Sequence, residues 1–474
     1  MNNKIRLKEK IGYGLGDAAS SMFWKIFGMY ALFFYTDVLG ITAAAAGTMF
    51  LVARVWDSLF DVLVGIIADR TKTKWGQYRP YLLWFAVPFS VMGVITFFVP
   101  EFGNTGKLIY AYITYSTMML IYSLINVPYA SLLGVLSENS QERNILASYR
   151  MTFAFIGSFI TFMLLQPLVD LFSKLLNHEV NSVAGNFSIS TTPVGWTLAV
   201  ASIGVLCTIL FFLCFKWTRE RVQPALQQNA EKKGQIKRDL KTLLLNTPWW
   251  ILVGTGLAAL LFNAVRDGVA IYYFRDYVRF DYNMPITNWD ITTIYFLIGQ
   301  AANIIGVVLA PKLSEKYGKK NTFLIAVLSA GVFSIVFYFI PNNITWIMLF
   351  QTIISICAGY VLPLLWSMFA DIVDYHELTT GRRTSGLIFS SSSMSQKLGW
   401  ALGSALTGWV LFLFSYDHDL IQQSAKTILG ERLMISILPA ACCLLAFIGM
   451  LFYPLTEKRV DQIGEQLNRQ RKKQ

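Results

Sequence analysis

Charge is what this chain has least of. Only 14% of its 474 residues are Asp, Glu, Lys or Arg, and 55% are apolar. Soluble domains carry about 25% charged residues. With a mean hydropathy of +0.49, the composition excludes an ordinary soluble enzyme and a disordered chain, because neither has surface for so much apolar material. Cysteine is scarce too. Cys207, Cys214, Cys357, Cys442 and Cys443 all lie in apolar stretches without a CxxC pair or an adjacent histidine, so neither a disulfide framework nor a zinc site is indicated. There are only three histidines, His178, His376 and His418. All three are expected in loops, which argues against a histidine proton relay. No HExxH, GxSxG or Walker pattern is present, so an enzyme is not expected.

What is there is long apolar runs. A helix crossing the hydrocarbon layer needs about 20 apolar residues, and twelve such spans are expected. The first six are 11–38, 46–68, 79–100, 107–136, 145–172 and 194–216. The second six are 249–278, 289–311, 321–340, 345–375, 384–415 and 431–454. The fold class is therefore an all-α membrane protein. Residues 1–216 are expected to form an N-terminal six-helix bundle and 249–454 a C-terminal one. The polar, basic stretch 217–248 would be a cytoplasmic middle loop, and 455–474 a cytoplasmic tail.

The net charge of +12 does not signal nucleic acid, because the basic residues sit in short loops between spans. They crowd the side of the two termini, whereas the opposite loops hold only Lys107, Lys174, Arg279 and Lys426. That asymmetry puts both termini in the cytoplasm. The halves also echo each other. The loop after the second span contains Lys74-Trp75-Gly76, and the loop after the eighth contains Lys316-Tyr317-Gly318. Six spans, a linker and six more spans in parallel repeat is the plan of the major facilitator transporters, whose sites lie between the halves at mid-membrane.

An ionisable group at the centre of a membrane helix costs at least about 2.5–3.5 kcal/mol unless it is paired or hydrated. In the first span Asp17, Ser21 and Lys25 are spaced to share one helix face. In the second, Arg54, Asp57 and Asp61 do the same. The fourth offers Tyr122, Ser123 and Asn126, the fifth Arg150, the eleventh Lys397. Carboxylates in a shared polar cavity hold a proton or small cation and accept from sugar hydroxyls; Arg and Lys donate or keep the acids in place. Lys25, Arg54, Arg266 and Asp267 are read as charge-pairing groups of that cavity. Arg275-Asp276 forms a second candidate pair near the outer end. Asp371, Asp374 and Arg383 flank the inner end of the tenth span and suit a cytoplasmic gate of salt bridges. Trp24, Trp56, Trp84, Trp366 and Trp400 are the tryptophans that could stack on a sugar ring.

Four stretches carry a family resemblance: Tyr13-Gly14-Leu15-Gly16-Asp17, Ala53-Arg54-Val55-Trp56-Asp57-Ser58-Leu59-Phe60-Asp61, Trp75-Gly76-Gln77-Tyr78-Arg79-Pro80 and Ala370-Asp371-Ile372-Val373-Asp374-Tyr375. Through them the chain resembles the glycoside–pentoside–hexuronide:cation symporters, the group typified by the melibiose permease. The resemblance implies a major facilitator fold that brings sugars or glycosides inward with a cation. It places Asp17, Arg150 and Lys397 at sugar-site or linking positions, with Tyr122 beside the sugar and Asp57, Asp61 and Ser123 in the cation region. Asn126 stands where the melibiose permease has a carboxylate serving both ligands, Phe60 where it has an asparagine, and Ala130 where it has a sugar-stacking tryptophan.

The presumed sodium site thus has one negative charge and one oxygen ligand fewer. Three couplings stay open: sodium, a proton on Asp57 or Asp61, or Lys25 in place of a bound cation. The expected function is import of a pentoside, hexuronide or short oligosaccharide with a proton or sodium ion. The alternatives are an uncoupled sugar uniporter, a carrier of another amphiphile such as a lysolipid and, least favoured, a sugar sensor that no longer transports. Beyond the coupling ion, no cofactor or metal is expected. The partners are the small-molecule substrate and membrane lipid, with no nucleic acid, and the chain is expected to act as a monomer in a bacterial inner membrane.

Overall fold

The computed structural model describes residues 5–137, 140–176, 190–221, 241–279, 290–381, 385–418, 420 and 422–471. Among these, regular structure is all helical apart from one isolated bridge, Thr73 to Gly76. Twelve long rods follow in order. The first, α1, is built of Leu7–Lys25, the π-turns Ile26–Tyr30 and Phe34–Val38, and Ala31–Phe33 between them. Next come α2 (Ala43–Arg70), α3 (Arg79–Thr96), α4 (Asn104–Leu136), α5 (Ser140–Leu175) and α6 (Pro193–Trp217). Then α7 (Thr247–Tyr272, continued by the π-turn Tyr273–Val278), α8 (Ile291–Tyr317), α9 (Lys319–Phe339), α10 (Ile344–Thr380) and α11 (Ser385–Leu413). The twelfth, α12, is Ala425–Ile435 plus Ile437–Leu451, and a final helix, α13, spans Glu457–Arg471. Nine of the rods are long and apolar enough to cross a membrane, counted over the described residues. The other three, α1, α2 and α11, are the ones that carry Asp17 and Lys25, Arg54, Asp57 and Asp61, and Lys397.

By packing the chain divides into two units. The first comprises Met1–Leu226, Ala270–Leu297 and Ser404–Ile428; the second comprises Gln227–Val269, Ile298–Gly403 and Leu429–Gln474. Small residues bring rods together within each, as expected where lipid supplies no hydrophobic drive between helices. In the first unit Gly408 lies against Gly47 and Ala43; in the second Gly306 meets Gly359.

The echo between the two Lys-aromatic-Gly loops has a physical counterpart. Gly76 has φ +115 and Gly318 φ +81, conformations that L-residues with a Cβ rarely adopt. Each precedes the start of a helix whose first N–H groups lack intrahelical partners. In the first unit the Glu220 carboxylate, just past α6, accepts from Gln77, Tyr78 and Arg79 N–H at 2.7, 2.8 and 2.8 Å. In the second, Glu457 follows α12 and accepts from Lys319 N–H at 3.3 Å. The basic side chains answer in return. Arg79 donates to the Phe215 carbonyl at the end of α6 (2.6 Å), and Lys320 to the Leu451 and Tyr453 carbonyls at the end of α12 (2.9 and 2.6 Å).

Three features depart from the sequence reading. The last span begins at Ala425 rather than 431 and breaks at Ser436, whose backbone leaves the helical region (φ −129, ψ −76). His376 is not in a loop: α10 runs on to Thr380 and buries it, with Nδ1 3.5 Å from the Asn246 side-chain nitrogen. His178 lies outside the described residues. The tail, expected only as a segment after the last span, contains a helix. In α13, Ile463 and Leu467 are buried in one core with Met368, Phe369 and Ile372 of α10.

Candidate substrate and cation site

From Gly16 to Thr36 every residue of α1 is buried except Ser21, Trp24, Lys25 and Gly28. These four, with Asp17 one turn before them (8% exposed), make a single stripe along the rod. A stripe facing lipid would be apolar; this one carries a carboxylate, a hydroxyl and an ammonium.

At one end of the stripe, Asp17 Oδ2 accepts from Arg150 Nε at 3.1 Å. The guanidinium lies 5.3 Å from the centre of the Tyr129 ring, which stacks on Tyr13 at 4.9 Å. The Tyr129 hydroxyl donates to the Tyr13 carbonyl (2.7 Å). The pair therefore has a fixed aromatic floor on one side, while Arg150 remains about a quarter exposed. Asp17 is thus neutralised by Arg150 on α5. Lys25 stands over the Phe162 ring, 5.7 Å from its centre.

Behind the stripe, Ser123 Oγ donates to Asp57 Oδ1 at 2.6 Å, and Arg54 Nη1 lies 3.6 Å from Asp57 Oδ2. All three are buried. The same Arg54 guanidinium is stacked 4.5 Å from the Trp24 ring, and Trp24 in turn lies 5.8 Å from Tyr122. One chain of contacts thus runs from the Asp57 carboxylate to an aromatic ring on the α1 stripe. A cavity of about 160 Å³ borders Asp57, lined by Ala53, Trp56 and Phe60 of α2 and Ser116, Thr117 and Leu120 of α4. Asp61 is half-buried one turn further along α2. Trp56 and Trp84 are largely exposed (56% and 44%), as membrane-facing tryptophans are.

The second unit holds Lys397, half-buried on α11, and the remaining expected residues. Arg266 is corrected from a cavity charge to a packed one. It is 3% exposed, donates from Nη1 to the Ile435 carbonyl (2.8 Å) and from Nε and Nη2 to Gln351 Oε1 (3.3 and 3.0 Å), and lies over Phe337. The break at Ser436 leaves carbonyls of α12 without helical partners, and Arg266 meets one of them. Its donors are taken by the Ile435 and Gln351 oxygens rather than by Asp267. Asp371 is likewise engaged inside its own unit, with both oxygens on Lys319 Nζ at 2.8 and 2.7 Å, which ties α10 to α9. Asp374 is half-buried one turn away. Arg383 lies outside the described residues.

The expected Arg275-Asp276 pair is part of a larger cluster at the far end of the first unit. Arg275 Nε and Nη2 each reach Asp276 at 2.8 Å, Nη1 binds Asp37 at the end of α1, and Nη2 also meets the Tyr416 hydroxyl at 2.7 Å. Tyr416 donates to Asp37 at 2.5 Å and Thr36 to Asp37 at 2.6 Å. A second contact set lies nearby. Asp290 caps α8 through Thr293 N–H (2.8 Å), and Gln166 of α5 donates to Asp290 (3.3 Å) and accepts from the Thr293 hydroxyl. Sequence reasoning missed Asp37, Tyr416, Gln166 and Asp290. Apart from Thr36 beside Asp37 and Thr293 beside Asp290, the partners named here are more than a hundred residues away, and for the two acids the only local signal was a carboxylate beside an apolar run.

A family model described as MFS/sugar transport protein matches residues 12–457. The chain belongs to that family. It is 34% identical to the inner membrane symporter YicJ of Escherichia coli strain K12 over 98% of this chain and 95% of that one. It is also 34% identical to the isoprimeverose transporter of Lactiplantibacillus pentosus, covering 97% and 90%. The fold matches a bacterial homologue of the human lysosomal transporter Spinster with a TM-score of 0.66 at 14% identity, covering 94% and 95%. The protein is thus an all-helical integral membrane protein with the major facilitator fold. It is a glycoside/cation-symporter-like transporter from a family of carriers rather than enzymes.

Proposed function

We propose that the protein imports a sugar or glycoside by alternating access, coupled to a proton or a sodium ion. The reading takes residues 1–216 and 249–454 as the two moving six-helix bundles, with both termini cytoplasmic, in a bacterial inner membrane, working as a monomer. The polar stripe on α1, which is otherwise buried from Gly16 to Thr36, carries this reading. Keeping Asp17 and Lys25 in a membrane helix is costly, and water and substrate hydroxyls offset that cost.

Asp17 accepts from substrate hydroxyls and Arg150 donates to them, with Tyr122, Asn126 and Lys397 as further contacts. Asp57 and Asp61, with Ser123 and Asn126, receive the cation. When it arrives at Asp57 it competes with Arg54 for the carboxylate. Arg54 is stacked on Trp24, so a displaced guanidinium alters the stripe on which the sugar rests. That contact supplies a physical link between ion and sugar. The Arg275 cluster is then the gate on the face opposite the termini, with Asp371, Asp374 and Arg383 near the other.

Uphill uptake into proteoliposomes by Asp61→Asn tests the coupling. Accumulation should vanish while exchange persists; unchanged accumulation would remove Asp61 from the coupling role.

A further inference from the structure

Two stacked phenols lie beside the Asp17–Arg150 pair, and only one of them uses its hydroxyl. Tyr13, one turn before Asp17 on α1, and Tyr129 of α4 are both 0% exposed, with rings 4.9 Å apart and 26° from parallel. Gly16 lets Tyr129 come this close, since a Cβ there would fall 2.5 Å from its ring. The Tyr129 hydroxyl is committed to the Tyr13 carbonyl at 2.7 Å. The Tyr13 hydroxyl has no hydrogen-bond partner among the described residues. Arg150 and Asp17 are the charges beside it, yet neither is hydrogen-bonded to it. A buried hydroxyl left without a partner is costly. Phenylalanine would fill the same space and keep the stack without that cost. A second arrangement of the pair, in which the phenol is bonded, accounts for the hydroxyl.

We propose that Tyr13 is a positioning residue for substrate binding: its phenol oxygen accepts from Arg150 when substrate hydroxyls draw the Asp17 carboxylate away. In the structure Asp17 holds Arg150 through one bond, Nε to Oδ2 at 3.1 Å. A guanidinium carries five N–H donors and a phenol oxygen is an acceptor. Exchanging carboxylate for phenol keeps the arginine bonded while both members of the pair turn to the substrate. The Arg150 side chain, 26% exposed, has room for that movement, whereas the Tyr13 ring is fixed by its stack. Tyr13 does not touch the substrate; it acts through Arg150. This rests on the reading of Asp17 and Arg150 as the substrate site.

The test is counterflow in proteoliposomes with labelled isoprimeverose, melibiose, D-xylose and D-glucuronate. Wild type, Tyr13→Phe and Tyr13→Leu are compared, and their melting temperatures are measured in detergent without sugar. Tyr13→Phe removes no hydrogen bond present in the structure, so it should melt at or above wild type. For a sugar that wild type exchanges, its half-saturation concentration should rise about ten- to a hundredfold, the range for a hydrogen bond to a charged group. The maximal rate should change far less. Tyr13→Leu, which also loses the stack, should melt lower, which separates the packing role of the ring from the role of the hydroxyl. An unchanged half-saturation in Tyr13→Phe overturns the proposal, and so does a fall in maximal rate that only follows a fall in melting temperature. Either result leaves Asp17 and Arg150 as the substrate site. Absence of exchange for every sugar in wild type would instead overturn the sugar-import reading.

Discussion

Replacing Arg275 by glutamine should open the far end of the first unit. In the structure the guanidinium serves two carboxylates, and the side chains of Arg275, Asp37 and Asp276 are only 6%, 3% and 5% exposed. Removing it strands two buried negative charges. Breaking a buried ion pair by deleting one partner costs about 3–5 kcal/mol, and each 1.4 kcal/mol is a factor of ten. The closed-to-open ratio should therefore fall by roughly two to three and a half powers of ten. Asp37→Asn is milder, because Asp276 still neutralises the guanidinium. It loses charge-assisted bonds from Arg275 and Tyr416, about 1.5–3 kcal/mol, or roughly ten- to a hundredfold. The readout is labelling of Ser21→Cys by a membrane-impermeant maleimide, in a background with the native cysteines changed to serine, from the face opposite the termini. Labelling should accelerate in the order parent, Asp37→Asn, Arg275→Gln. Equal rates in folded Arg275→Gln and parent would refute the reasoning, since the cluster would then not hold this end shut.

Two further outcomes follow from the same geometry. Asp290 accepts from Thr293 N–H at the start of α8 and from the Gln166 side chain. Losing such a cap costs about 1 kcal/mol, so Asp290→Ala should lower the melting temperature in detergent by a few degrees; an unchanged melting temperature would remove this contact from the support of α8. Glu220→Gln weakens three N–H bonds at the start of α3, where a carboxylate also complements the helix dipole. It should lower the melting temperature in detergent by several degrees, and Glu457→Gln, with one longer bond, by less.

The rods were legible because apolar length is a local property. The paired loops were legible because Lys-aromatic-Gly recurs at the same place in each half. What the loops do was not: Glu220 lies 141 to 143 residues from the N–H groups it caps, and nothing near Trp75 announces it. The stripe Asp17, Ser21, Lys25 followed from helical spacing, but spacing does not choose Arg150 over Lys25 as the partner of Asp17. Arg266 and Asp267 looked like a pair because they are adjacent, yet adjacency does not decide it: Arg275 and Asp276, also neighbours, do pair, whereas Arg266 turns to Ile435 and Gln351. The break in α12 that engages Arg266 has a local marker in Pro439, which has no N–H for the Ile435 carbonyl, but nothing near it names Arg266 as the donor that meets that carbonyl. Asp371 was read, with Asp374 and Arg383, as part of a gate of salt bridges; the ammonium that holds it, Lys319, is on α9, at the start of a different rod.

The central claim is that the charged stripe of α1 lines a wet chamber in which a saccharide binds. Sugar counterflow in proteoliposomes, with wild type beside Asp17→Ala, tests it most directly. The account predicts saturable exchange of at least one glycoside by wild type and its loss in a folded Asp17→Ala protein. Exchange that proceeds equally well without the Asp17 carboxylate would contradict it.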